Sequence, residues 1–154
     1  MKGFIDDIAE LAGENAAFRR VVYTGQHMQL VLMTLKPGEE IGTETHQGND
    51  QFFRVEKGRG EAWIDGKRSR ISKEDAIFVP AGALHNIVST GYKHLRFYTL
   101  YSPPHHQDGI VRETRAEAIS DPEHFDGRTT ETRSPLAIKR PAAAEPALPV
   151  RPRG

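Results

Sequence analysis

From Phe18 to Tyr101 the chain alternates short apolar runs with polar breaks: FRRVVYT, MQLVLMTL, QFFRVEKG, GEAWIDG, DAIFVP, HNIVST and LRFYTLY. Val, Tyr, Phe and Leu dominate these runs, and Gly, Pro or Asp-Gly signals interrupt them at short, even intervals, which is the texture of antiparallel strands. Asp65-Gly66, between GEAWI and KRSRI, predicts a two-residue hairpin, because a type I′ turn needs positive φ at both central positions. No strong helical period occurs in this stretch. The pattern therefore predicts an all-β antiparallel sandwich or small barrel.

The flanks read differently. Residues 3–12 place Phe4, Ile5, Ile8 and Leu11 at helical spacing, with Gly13 as a stop, so 1–14 is expected to be a short helical segment packed outside the body. Pro103 and Pro104 take the chain out of the sheet, which bounds the barrel at 15–110. Residues 111–127 read as an extension whose stretch VRETRAEAI, 111–119, is expected to form a closing helix. The run QLVLMTL is apolar on both alternating faces, so its outward face needs cover from the N-terminal helix, a sheet flank or a second copy. A homodimer is the expectation drawn from it.

Charge sharpens this division. The 154 residues carry 21 basic and 21 acidic side chains, but 128–154 hold six basic and two acidic ones, leaving 1–127 four charges negative. A body of that sign is not built to bind nucleic acid. The same terminal stretch holds five of the ten prolines and no aromatic residue, so it is expected to be a disordered tail, dispensable for folding. No apolar run approaches the ~20 residues that a membrane-spanning helix needs, and the acidic start lacks the pattern of a signal peptide, so a cytoplasmic location is expected. Zero cysteines exclude disulfides and thiolate metal sites; any metal must be held by nitrogen and oxygen donors.

Candidate donors exist. Glu44 and His46, two apart, face the same side of an extended strand. Gln51 opens the next apolar run, and His85 follows a Pro-x-Gly turn. Taken singly each has an ordinary structural role; their joint spacing is what carries information. His105, His106 and Asp108 in PPHHQDG read most simply as a surface turn, with a second site or a lid at the barrel mouth as the alternative. Trp63, Phe53 and Phe97 are expected in the core, and Tyr98 or Tyr101 is available as a phenolic donor.

Gly38, Glu44, His46, Gln51 and Gly58 are spaced as in the first motif of the cupins, and Pro80, Gly82 and His85 as in the second, with Glu74 and Ser89 departing from it. From about Asn15 to Gly109 the chain resembles the small single-domain cupins loosely described as mannose-6-phosphate isomerase-like. The resemblance implies a double-stranded β-helix, or jelly-roll barrel. It also implies a divalent first-row ion (zinc, iron or manganese) held by Glu44, His46, Gln51 and His85. Where the usual set is three His and one Glu, the carboxylate here has moved to the first position and an amide fills the old Glu position; the formal ligand charge is unchanged. Such a site suits a small polar metabolite, a sugar derivative or an oxyacid, in isomerase, epimerase or lyase chemistry. An Fe(II) or Mn(II) oxygenase and a non-catalytic binding or sensing module are the alternatives.

Overall fold

The computed structural model describes residues 2–133. Seven strands fall on the seven apolar runs and an eighth, β5, on the KRSRI side of the hairpin: β1 Arg19–Thr24, β2 Gln29–Leu35, β3 Asp50–Lys57, β4 Arg59–Ile64, β5 Lys67–Ser72, β6 Ala76–Val79, β7 His85–Ser89 and β8 Leu95–Ser102. All pair antiparallel. One sheet has the order β6-β3-β8-β2-β1, and the other the order β5-β4-β7. The segment 40–44 extends the smaller sheet through bridges of Glu40 to Val88 and Glu44 to His85. Asp65 (φ 46°) and Gly66 (φ 82°) form the expected hairpin turn between β4 and β5.

The core lies between the two sheets. Alternation along each strand sends Val31, Met33 and Leu35 of β2, Phe53 and Val55 of β3, and Leu95 and Phe97 of β8 inward against Ala62 and Ile87 of the smaller sheet. Trp63 is a correction: it is half-buried and outside this cluster, with the Arg68 guanidinium 4.1 Å above its ring. It lines a surface cleft of about 280 Å³ with Thr43, Arg68 and Leu84. The even parity of the β4–β5 hairpin explains the exchange, since Ala62 takes the inward position and its neighbour must face out.

The N-terminal helix starts later than its pattern suggests. α1 spans Ile8–Glu14, because the Asp7 carboxylate accepts from Glu10 N–H and caps it there. Ile8, Leu11 and Ala12 turn toward the body, whereas Ile5 is fully exposed. α1 packs on β8, β3 and β2. Beyond it Asn15 is buried and exchanges hydrogen bonds with Thr34, the Thr34 hydroxyl donating to Asn15 O at 2.6 Å. The outward face of β2 is thus covered from within the chain, with Leu32 3% exposed, and a dimer needs a different surface.

The C-terminal boundaries shift as well. Val111–Arg112 is not helical but forms β9, an edge strand on β1, so the larger sheet extends past 110. The helix α2 is confined to Arg115–Ser120, capped by Thr114. Of the expected tail, 134–154 lie outside the described residues. Residues 129–133 do not behave as a tail, since α3, Thr130–Arg133, is docked on the body. Thr130 Oγ1 donates to Asp108 and accepts from Thr24 N–H, while the Glu131 carboxylate accepts from the N–H groups of Lys2 and Gly3 and from the Tyr23 hydroxyl. Such bonds contribute about 1 kcal/mol each. A chain ending at Gly127 should therefore melt several degrees lower than one ending at Arg133. Equal melting temperatures by scanning calorimetry would show that α3 adds nothing.

Candidate metal centre

Three of the four sequence-marked donors meet at the mouth of the barrel. The backbones of Glu44 and His85 bond to each other in both directions at 2.9 Å, which sets the 40–44 segment beside β7 and aligns the two side chains. Glu44 Oε1 lies 3.1 Å from His46 Nε2 and 3.5 Å from His85 Nε2. One donor atom from each of Glu44, His46 and His85 falls within 4.8 Å of the others, a spread that one cation can bridge. The His85 side chain is 1% exposed and that of Glu44 is 34% exposed, so the cluster is closed from below and open at the carboxylate.

Hydrogen bonding prepares the imidazole of His85. Its Nδ1 lies 3.0 Å from Ala83 O, an acceptor, so the ring proton sits on Nδ1 and the Nε2 lone pair faces the cluster. Nε2 of both histidines is buried with no well-formed hydrogen bond. Burial alone would raise the Glu44 carboxyl, but the close approach and positive field of His46 and His85 hold it below the ordinary carboxylate range. Burial lowers His85, but the nearby Glu44 carboxylate, the bond to Ala83 O and the charge of Asp65 together outweigh it and leave a net rise. A divalent cation supplies to these groups what they now take from each other, positive charge opposite a carboxylate and an acceptor for two lone pairs.

Gln51 is 1% exposed on the inner face of β3, opposite Tyr101 of β8. Its Nε2 donates to Thr99 Oγ1 at 3.0 Å, and its Oε1 is buried without a well-formed hydrogen bond. Like the two imidazole nitrogens, this carbonyl oxygen has lone pairs without a partner, which a cation could use.

The segment after β8 is not a surface turn. His106 is 5% and Asp108 6% exposed, and His105 is half-buried with its ring 4.2 Å from that of His46. The chain is folded back by Gln29, fully buried in β2, whose Oε1 accepts from the N–H groups of His105 and His106 while its Nε2 donates to His106 O. Asn49 Nδ2 ties the segment to the 46–50 loop by donating to Pro103 O. Sequence reasoning passed over Gln29 and Glu123. The one signal for Gln29 was an uncharged amide opening an otherwise apolar strand; Glu123 had none.

Glu123 anchors the far side. It lies 2.8 Å from His106 Nδ1 and accepts from Gln107 N–H at 2.7 Å. Burial would raise its carboxyl, but these bonds and Arg19 bring it down to about 2, and burial lowers His106. Both groups titrate below their unfolded values, so the unfolded chain binds more protons as acid is added. The Glu123 contribution is complete above the ordinary carboxylate value and disappears as pH falls toward 2. The His106 contribution starts to disappear below about 6.5. The urea midpoint should thus fall between pH 7 and pH 4 as His106 takes up its proton, and further toward pH 2 as Glu123 does, the second fall being smaller in Glu123→Gln; a midpoint independent of pH in the natural chain would refute the linkage.

Two antiparallel sheets closing over an inward-facing His/carboxylate cluster define a small double-stranded β-helix protein with a candidate metal site. The chain belongs to the cupin family: the Cupin domain description matches residues 31–101. The uncharacterized protein YrkC of Bacillus subtilis is 39% identical over 125 residues, covering 77% of this chain and 67% of that protein. The crystal structure of BH2720 from Bacillus halodurans, 39% identical, superposes with a TM-score of 0.76 over 77% of this chain and 95% of its own. More distantly, an oxalate-binding protein of Thermotoga maritima is 32% identical over 65 residues, which cover 42% of this chain and 54% of that protein.

Proposed function

We propose that Glu44, His46 and His85, with Gln51 as a neutral oxygen donor, hold one divalent first-row metal, and that a small oxyacid or carbonyl compound is the metal's second partner. The observation that carries this is the convergence of three donor atoms, two of them buried nitrogens without a hydrogen bond. Two imidazoles and one carboxylate match zinc, iron or manganese better than calcium or magnesium, which take oxygen-rich shells. The oxalate-binding relative supports an oxygen-rich small ligand.

A bound ion polarises a carbonyl or carboxylate and stabilises an enediolate without changing its own redox state, chemistry that serves an isomerase, epimerase or lyase. The protein's own groups do the rest. His85 is oriented by Ala83 O, Phe53 and Tyr101 wall the site from below, and His105 borders His46 at the mouth, where it can contact a ligand. The Glu44 side keeps the exposure a ligand needs to enter. Elemental analysis of the untagged protein, followed by oxygen uptake with candidate oxyacids on the Fe(II)-loaded form, tests the reading. One metal per chain without oxygen uptake supports it. Substrate-dependent oxygen consumption would make the protein an oxygenase, and tight binding without turnover a sensing module.

We also propose a homodimer, supported by the free edge strand β6, whose Phe78 is 60% exposed. Light scattering with a mass near twice 17.2 kDa would support it, and 17.2 kDa would reject it.

A further inference from the structure

A chain of hydrogen bonds runs from the post-barrel loops to Gln51. Glu123 Oε1 lies 2.8 Å from His106 Nδ1, and Glu123 is an acceptor, so the His106 ring proton sits on Nδ1. His106 Nε2 is then an acceptor, and the group it faces at 3.3 Å is the Tyr101 hydroxyl. The phenolic proton is committed to His106, which leaves the Tyr101 oxygen able only to accept from its other side. Opposite Tyr101 across the β3–β8 pair stands Gln51, whose amide nitrogen donates to Thr99 Oγ1 at 3.0 Å. The Gln51 nitrogen is thereby engaged, and Oε1 is buried with its lone pairs unclaimed. Tyr101, His106 and Gln51 are all nearly inaccessible to water, so no solvent molecule competes for these bonds.

We infer that Glu123 and His106 are positioning residues that, by drawing the Tyr101 proton away from Gln51, hold the Gln51 amide with its oxygen turned to the metal. The inference rests on the metal reading above. Its logic is directional: each link fixes the polarity of the next, and reversing the first reverses all of them. In Glu123→Gln the new amide keeps its oxygen for Gln107 N–H and presents its NH2 to His106 Nδ1. The imidazole proton moves to Nε2 and points at Tyr101, whose own proton turns to Gln51 and claims the oxygen that the cation needs. His106→Phe reaches the same end by removing the acceptor for the Tyr101 proton. Tyr101→Phe removes the competing proton altogether and leaves Gln51 free.

Competitive titration with cobalt(II), together with its d–d absorption, tests this on the full chain. Glu123→Gln and His106→Phe should each bind cobalt about 10-fold or more weakly than the natural chain, the scale at which outer-shell partners of metal ligands act, with a changed d–d spectrum. Tyr101→Phe, which keeps the ring that packs against His46, should bind more tightly than either of them. The double variant Glu123→Gln/Tyr101→Phe should recover that affinity, as it would not if Glu123 merely anchored the loop through Gln107. Natural affinity in both Glu123→Gln and His106→Phe, or a double variant as weak as Glu123→Gln alone, would overturn the inference while leaving the metal site standing. A natural chain that takes up no cobalt overturns the metal site and the inference with it.

Discussion

Replacing His85 by Ala should abolish stoichiometric metal binding, and replacing His46 should do nearly the same, whereas Gln51→Ala should leave a weakened but measurable site. The order follows from donor chemistry. Imidazole nitrogen is the better donor to a borderline first-row ion, and the amide is a weak neutral one. His85 ranks first because its Nε2 is pre-aimed by the Nδ1 bond to Ala83 O and its side chain is 1% exposed, so water cannot take its place at low cost. Losing a ligand should exceed the roughly 10–100-fold that losing an outer-shell partner costs. Because Glu44, Ala83 O and Asp65 together hold His85 above its ordinary value despite burial, a metal competes with a proton there, so affinity should climb with pH. Metal content per chain after dialysis against a defined zinc buffer gives the ranking. Equal content in all three variants would remove the site; a Gln51 variant as empty as His85→Ala would overturn the order of donors.

What the sequence makes legible is what repeats with a short period or a fixed spacing. The eight strands are visible because burial on one face writes itself as alternation, and Asp65-Gly66 because few dipeptides accept two positive φ angles. Glu44, His46 and His85 could be marked because their joint spacing matches that of the cupin motifs. The path of the chain after Ser102 is set by something else. Whether PPHHQDG runs along the surface or folds over the barrel mouth depends on Gln29, more than seventy positions away, whose amide captures two backbone N–H groups there. The docking of 129–133 depends likewise on Tyr23, Thr24 and the backbone of Lys2 and Gly3, contacts between chain ends that no local pattern encodes. A proline-rich, basic composition correctly warns that a segment cannot form its own core, but does not say where the body stops accepting it. Position 3–12 shows the same limit at smaller scale. The helical spacing of Phe4 and Ile5 is real, yet Asp7 is the better cap, and the helix begins after it.

Replacing the motif's last glycine by alanine should incur two costs at once, backbone strain and overpacking. Gly58 sits between β3 and β4 at φ 88°, the left-handed region, and a Cβ built on it would lie 2.5 Å from His94 O and 2.9 Å from Leu95 Cα. Both obstacles are backbone, so neither can rotate away. Leu95 is fully buried and paired with Leu35 of β2, which closes the route by which the strand might retreat. Gly58→Ala should thus lose about 1–2 kcal/mol for the left-handed backbone and about 1–3 kcal/mol for overpacking. Gly38 is the internal control. It has a similar φ of 81°, but a Cβ there meets nothing within 4 Å, so Gly38→Ala should lose only the backbone part. For a domain of this size the difference corresponds to a gap of several degrees in melting temperature, at about 2–4 °C per kcal/mol. Denaturant midpoints at constant slope measure both. Equal losses in the two variants would mean that the β3–β4 turn yields to the added methyl, and that Gly58 is there for its conformation alone.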